Sequence, residues 1–269
     1  MSRLASTFDA LKRQQRCGLV TYVTAGDPDA ARSTDILLAL DRAGADVLEV
    51  GVPFSEPLAD GPVIQRAVER GLAAGMTLSR TLDLIERTRE RLRAPVVLFT
   101  YANPVFRFGL DRFVARAAEA GVDGVLVLDL PIEEGDELAS RLRRVEIDTI
   151  WLLSPTTVQE RIRRASKVGS GFLYGITRLG VTGARDAVAV GARDLAARIR
   201  RETDLPIALG FGLSRPEHIR EVEQWADAAV VGSALVDRIA SRAAQPAGDV
   251  VEAVDTYVRW LKGGGPAPA

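Results

Sequence analysis

Short apolar runs recur along the chain, and the stretches between them carry apolar residues three and four apart. Gly18–Thr24, Val47–Val50, Pro95–Phe99, Gly124–Leu128, Asp148–Leu153, Gly171–Tyr174, Leu205–Leu209 and Ala228–Val231 read as eight strands. Between them, helical spacing predicts helices over 3–14, Asp29–Ala43, Pro62 through Val68, Thr77 to about Leu92, Leu110–Ala120, Glu133–Arg144, a stretch ending near Ala165, one ending at Arg201, and Pro216–Glu223. Asp27 is placed to cap the helix that starts at Asp29, and two further helices, from Ala234 and over Asp249–Leu261, close the pattern. Eight strands alternating with helices, with no linker-like break, predict one (β/α)₈ barrel preceded by an extra N-terminal helix; a doubly wound open sheet is the alternative, but eight units suit closure better. The barrel domain is expected to span residues 1–262, with a flexible Gly-Gly-Gly-Pro-Ala-Pro-Ala tail over 263–269.

One strand breaks the apolar pattern. Glu49 sits inside Val47–Val50, where a parallel strand ordinarily carries Val, Ile or Leu. A buried carboxylate there is either tied to a neighbouring Arg or backbone amide, or faces a pocket. The loop that follows is rich in Pro and Gly and carries a second acid, Asp60, just before the helix that opens at Pro62. In a barrel of this kind the site lies at the C-terminal ends of the strands, where Glu49, Asp60, Tyr101, Asp129 and Tyr174 all fall.

Two glycine-bearing loops add an anion site. Leu209-Gly-Phe-Gly-Leu-Ser214 follows the seventh strand and Val231-Gly-Ser-Ala234 the eighth, the two positions at which such barrels bind phosphate. Gly180-Val-Thr-Gly183, in the long sixth loop, is a candidate third contributor and lid.

Composition narrows the chemistry. Lys and Arg total 35 against 36 Asp and Glu, with no basic stripe, so no nucleic-acid partner is expected. No apolar run approaches a membrane span and the N-terminus lacks a signal-peptide core, so a cytoplasmic protein without membrane contact is expected. Cys17 stands alone, which leaves no internal disulfide or cysteine metal cluster, and His218 is the only histidine, read as a surface or capping residue. Lys12, Lys167 and Lys262 are the only lysines, and none lies on a strand or strand end, which argues against an imine mechanism. What remains is acid–base chemistry by Glu and Asp on a phosphate-bearing substrate that supplies its own electron sink, with no metal or cofactor expected.

Pro53-Phe-Ser-Glu-Pro-Leu-Ala-Asp-Gly-Pro-Val-Ile-Gln65 resembles the signature of the tryptophan synthase α subunit family. Tyr101-Ala-Asn-Pro104, Asp129-Leu-Pro131, Thr177-Arg-Leu-Gly-Val-Thr-Gly183, Gly210-Phe-Gly212 and Gly232-Ser233 are similar to that family's other motifs, in the same order over essentially the whole chain. The resemblance implies cleavage of indole-3-glycerol phosphate to indole and glyceraldehyde 3-phosphate. It implies Glu49 as the acid–base and Asp60 as the acid that holds the indole N–H. It implies Gly183, Gly212, Gly232 and Ser233 as phosphate binders, Tyr22, Tyr174 and Phe211 as indole-site residues, and Thr182 as a lid residue closing toward Asp60. It also implies a pyridoxal-phosphate β subunit as partner, in an α2β2 heterotetramer. Two positions depart from the family pattern: Tyr22 stands where Phe is common, and Glu56 where Asp is usual. Two other readings stay open, a different phosphate-binding barrel enzyme such as a sugar-phosphate isomerase, and a catalytically idle barrel that activates a partner. A stand-alone or weakly coupled indole producer is a further alternative, a variant of the indole-3-glycerol phosphate cleavage that the resemblance implies.

Overall fold

In the computed structural model, residues 1–176, 191–210, 212–245 and 248–263 are described. The strands β1 (Gly18–Thr24), β2 (Val47–Gly51), β3 (Val96–Thr100), β4 (Gly124–Val127), β5 (Asp148–Leu153), β6 (Leu173–Ile176), β7 (Ile207–Gly210) and β8 (Ala228–Val231) are all parallel and close on themselves in chain order. The helices are α1 (Arg3–Arg13), α2 (Ala30–Ala43), α3 (Pro62–Ala73), α4 (Leu78–Arg89), α5 (Ala102–Phe108), α6 (Leu110–Glu119), α7 (Asp136–Arg144), α8 (Gln159–Val168), α9 (Gly191–Arg200), α10 (Pro216–Val222), α11 (Ser233–Ala243) and α12 (Val250–Leu261). This is the expected (β/α)₈ barrel with its additional N-terminal helix.

Strand alternation sorts the side chains into two cores. Leu19, Leu48, Val50, Val96 and Leu98 point outward into the layer beneath the helices. Val20, Val47, Val97, Leu126, Ile150, Ala208 and Ala228 point inward, where Leu4, Phe8 and Leu11 of α1 plug the N-terminal end of the barrel. The plug leaves the opposite end as the open one, and that is where the inward residues turn polar.

The N-terminal rim is tied by a repeated device. A residue directly ahead of an even strand, or three residues ahead of it at β6, accepts an amide of the preceding odd strand: Asp46 from Leu19 at 2.8 Å, Asp123 from Val96 at 2.7 Å, Ser170 from Thr149 at 3.1 Å and Asp227 from Ile207 at 2.7 Å. Arg16, Arg89 and Arg200 pair with the three aspartates, so these part-buried acids keep their charge satisfied.

Several local expectations are corrected. Asp29, not Asp27, caps α2, accepting from the Arg32 amide at 2.9 Å. Asp27 is buried and grips the Arg70 guanidinium at 2.6 and 3.1 Å. β6 starts at Leu173 rather than Gly171, because Gly171 has φ +72 and turns the chain, and it runs on through Gly175 and Ile176 instead of giving way to a loop. β7 starts at Ile207, after Pro206, which has no amide to offer a ladder. The helix expected from Glu133 is a 3₁₀ turn over Ile132–Glu134 followed, after Gly135, by α7. The short helix α5 was not anticipated.

Candidate active site

A cavity of about 360 Å³ opens at the C-terminal end of the barrel, within the size range of small-molecule pockets. Its floor comes from the inward positions of the strands: Phe99 of β3, Tyr174 and Ile176 of β6, Val230 of β8, and Leu128 and Leu152 at β4 and β5. Glu49 of β2 is the one acid in this floor among the described residues. It is fully buried, beside Tyr22 and Val97 in strand register. Neither carboxyl oxygen has a hydrogen-bond partner among the described residues. The choice left open by the sequence between a tied Glu and one that faces a pocket therefore falls to the pocket. Burial pushes its carboxyl up to about 8, so at neutral pH Glu49 holds a proton.

Asp60 reaches the same cavity from the loop after β2. Its backbone is anchored twice, its amide donating to Pro57 O at 3.0 Å and its carbonyl accepting from Gln65 Nε2 at 2.8 Å. The Tyr101 hydroxyl donates to Asp60 Oδ2 at 3.0 Å. Burial raises Asp60 to about 6, against the Tyr101 hydrogen bond, which lowers it. Two acids in one pocket thus differ in state at neutral pH, Glu49 protonated and Asp60 ionised. That separation is how a site divides acid and base roles.

The aromatic walls depend on two glycines. A Cβ at Gly51 would lie 2.2 Å from the Tyr22 hydroxyl, and one at Gly210 would lie 2.5 Å from the Tyr174 hydroxyl. Each tyrosine leans over the glycine two positions beyond its neighbour in register, Glu49 for Tyr22 and Ala208 for Tyr174. Tyr22 also meets Thr24 Oγ1 at 3.3 Å and stacks edge-on against Phe99.

Gly212, Gly232 and Ser233 line the cavity as well. Gly212 has φ +78, a conformation open chiefly to glycine. Gly232 and Ser233 form the start of α11, whose amides at Leu235 and Val236 both donate to Gly232 O. The amides of Ser233 and Ala234 lie ahead of that ladder, at the positive end of the helix dipole, and both residues line the cavity. A Cβ at Gly232 would meet nothing closer than Tyr22 Cβ, at 3.4 Å, so packing does not demand a glycine there.

The structure therefore brings together Glu49, Asp60, Tyr22, Tyr174, Gly212, Gly232 and Ser233. Thr182, Gly183 and Phe211 lie outside the described residues, as does the lid candidate Gly180–Gly183. Tyr101 belongs to the site more closely than its place at a strand end indicated. Asp129 instead accepts the Ala102 amide at 2.7 Å, at the start of α5. His218 is buried and its Nδ1 accepts the Ser214 amide at 3.1 Å, a capping contact rather than a surface one.

A family model described as "Tryptophan synthase alpha chain" matches residues 8–263. The chain belongs to this family. It is 44% identical over 264 residues to the tryptophan synthase alpha chain of Solibacter usitatus, covering 98% of each, and 50% identical over 239 residues to that of Geobacter sp. strain M21, covering 88% of each. Among solved structures it is similar to the tryptophan synthase subunit alpha from Legionella pneumophila, 34% identical with a TM-score of 0.88 over 98% of each chain. It is also similar to a structure of Mycobacterium tuberculosis tryptophan synthase, 32% identical with a TM-score of 0.89 over 98% of each chain. The family match thus begins within α1 and runs past the end of α12. No helix among the described residues is long and apolar enough to cross a membrane.

Proposed function

We propose that Glu49 and Asp60 divide the acid–base work of a carbon–carbon lyase. The chain cleaves indole-3-glycerol phosphate to indole and glyceraldehyde 3-phosphate, a reaction of tryptophan biosynthesis. The observation that carries the residue assignment is the fully buried Glu49 carboxyl, without a hydrogen-bond partner among the described residues, in one cavity with a Tyr101-held Asp60.

The protonated Glu49 delivers its proton to the indole ring carbon that bears the glycerol chain. The ring becomes an indolenine cation, and the ionised Asp60, accepting the indole N–H, offsets the charge in a pocket where solvent screening is weak. Glu49, now a carboxylate, takes the proton of the adjacent glycerol hydroxyl. That O–H electron pair forms the aldehyde carbonyl, the bond from the side chain to the ring breaks, and its electrons restore the aromatic indole. Glu49 ends protonated, ready for the next turnover. The apolar floor, with Phe99, Leu128 and Leu152, suits the flat indole. The amides at the start of α11 and the Gly212 backbone suit the phosphate.

The family works with a β subunit. For this chain the finer reading is an α2β2 assembly docked on the face that carries the loop after β2 and helix α5, where Leu58 is 88% exposed and Phe106 56% exposed. Glu56, in the same loop, is exposed and one methylene longer than the family's Asp. A generic β subunit is expected to activate the parent less than it activates Glu56→Asp; equal, strong activation of both would make Glu56 a neutral variation. The activity itself is tested by following indole release from indole-3-glycerol phosphate by the purified chain, with and without a β subunit. Release in either arm supports the lyase reading, and none in both arms would indicate an idle barrel.

A further inference from the structure

Two buried polar side chains outside the cavity spend their hydrogen bonds on one backbone position of the loop after β7. His218 Nδ1 accepts the Ser214 amide at 3.1 Å, and the Tyr257 hydroxyl donates to the Ser214 carbonyl at 2.9 Å. To accept through Nδ1, His218 must be neutral with its proton on Nε2. His218 is 4% exposed and Tyr257 3% exposed. Ser214 directly follows Gly212 and Leu213, which line the cavity.

Three helices meet at this point. His218 belongs to α10, and Tyr257 to α12. The Arg238 guanidinium of α11 stacks over the Tyr257 ring at 5.0 Å, five residues past Ser233. Tyr257 therefore touches both halves of the anion end, the β7 loop through Ser214 and α11 through Arg238. Neither His218 nor Tyr257 lines the cavity.

We propose that His218 and Tyr257 are positioning residues that fix the backbone of Gly212 and Leu213 against the start of α11, and so set affinity for the phosphate end of the substrate. The proposal rests on the phosphate assignment made above. Gly212 is a flexible residue held at positive φ, so its amide keeps one direction only if the following segment is anchored. Ser214 is that anchor, with both backbone groups engaged by rigid, buried rings. The reacting carbons lie on the Glu49 and Asp60 side, so loosening this anchor weakens binding more than it slows chemistry.

The test uses the full chain with indole-3-glycerol phosphate as substrate and glycerol 3-phosphate as inhibitor. His218→Ala removes the acceptor, and Tyr257→Phe removes only a hydroxyl while keeping the ring packing. Loss of one such hydrogen bond is expected to raise both KM and the inhibitor Ki about three- to tenfold, with kcat changing less than KM. His218→Asn, whose Oδ1 can accept the same amide, is expected to recover most of the loss, which a general packing role for the ring would not produce. If both His218→Ala and Tyr257→Phe keep the parent KM and Ki, the positioning role is wrong while the lyase reading stands. If the parent cleaves its substrate but does not bind glycerol 3-phosphate, the phosphate assignment is wrong and the positioning role falls with it.

Discussion

The Tyr101 hydroxyl donates to Asp60 at 3.0 Å and also receives the Ala59 amide at 3.3 Å, so one phenol braces the acid and the loop that carries it. The hydrogen bond favours the ionised form of Asp60. Tyr101→Phe should lower kcat/KM about tenfold at neutral pH, the scale of a hydrogen bond to a charged group. It should also move the acid limb of the pH profile upward, because Asp60 then holds its proton to higher pH. Steady-state kinetics across pH checks both; an unchanged limb would separate Tyr101 from the state of Asp60.

The parent profile of kcat/KM should be bell-shaped. Activity requires ionised Asp60, so it falls as pH drops through about 6. It requires protonated Glu49, so it falls as pH rises through about 8. A profile flat from about 5 to 9 would contradict the two protonation states that these shifts imply.

Stability carries the same signature. Glu49 ionises near its ordinary 4.5 in the unfolded chain and near 8 in the folded one. The folded state therefore binds the extra proton between these values, and the stability present below 4.5 is lost as pH rises through about 8. Glu49→Gln has no such loss. Its melting temperature relative to the parent should climb across that window, and a difference constant with pH would place Glu49 in an ordinary, solvated environment.

Much of this was legible in the chain. β1, β5 and β8 end where their apolar runs end, and Glu49 stood out because a charge interrupts such a run. α5 was hidden by Asn103-Pro104, which reads as a turn. Pro104 is tolerated because it sits in the first helical turn, where its missing N–H has no intrahelical acceptor to lose. The notches at Gly51 and Gly210 were invisible because they depend on how far a tyrosine leans across a neighbouring strand. The role of Asp27 was misread for a similar reason: its partner, Arg70, is a neighbour only after folding.

Gly232 separates packing from binding. Gly232→Ala adds a methyl that the protein can accommodate, since the nearest heavy atom, Tyr22 Cβ, is 3.4 Å away, but it adds that methyl to a residue that lines the cavity at the start of α11. The variant should melt near the parent temperature while KM and the glycerol 3-phosphate Ki rise about tenfold. Parent-like values of both would move the phosphate away from α11.

The most direct test of the account is indole release by Glu49→Gln. The amide is nearly isosteric and fills the same buried position, but it cannot carry the proton to the ring carbon or remove the one on the glycerol hydroxyl. Turnover should drop by about 10²–10⁴-fold while glycerol 3-phosphate binds as tightly as to the parent. Turnover within a few-fold of the parent, in a variant that still folds and binds, would contradict the role given to Glu49.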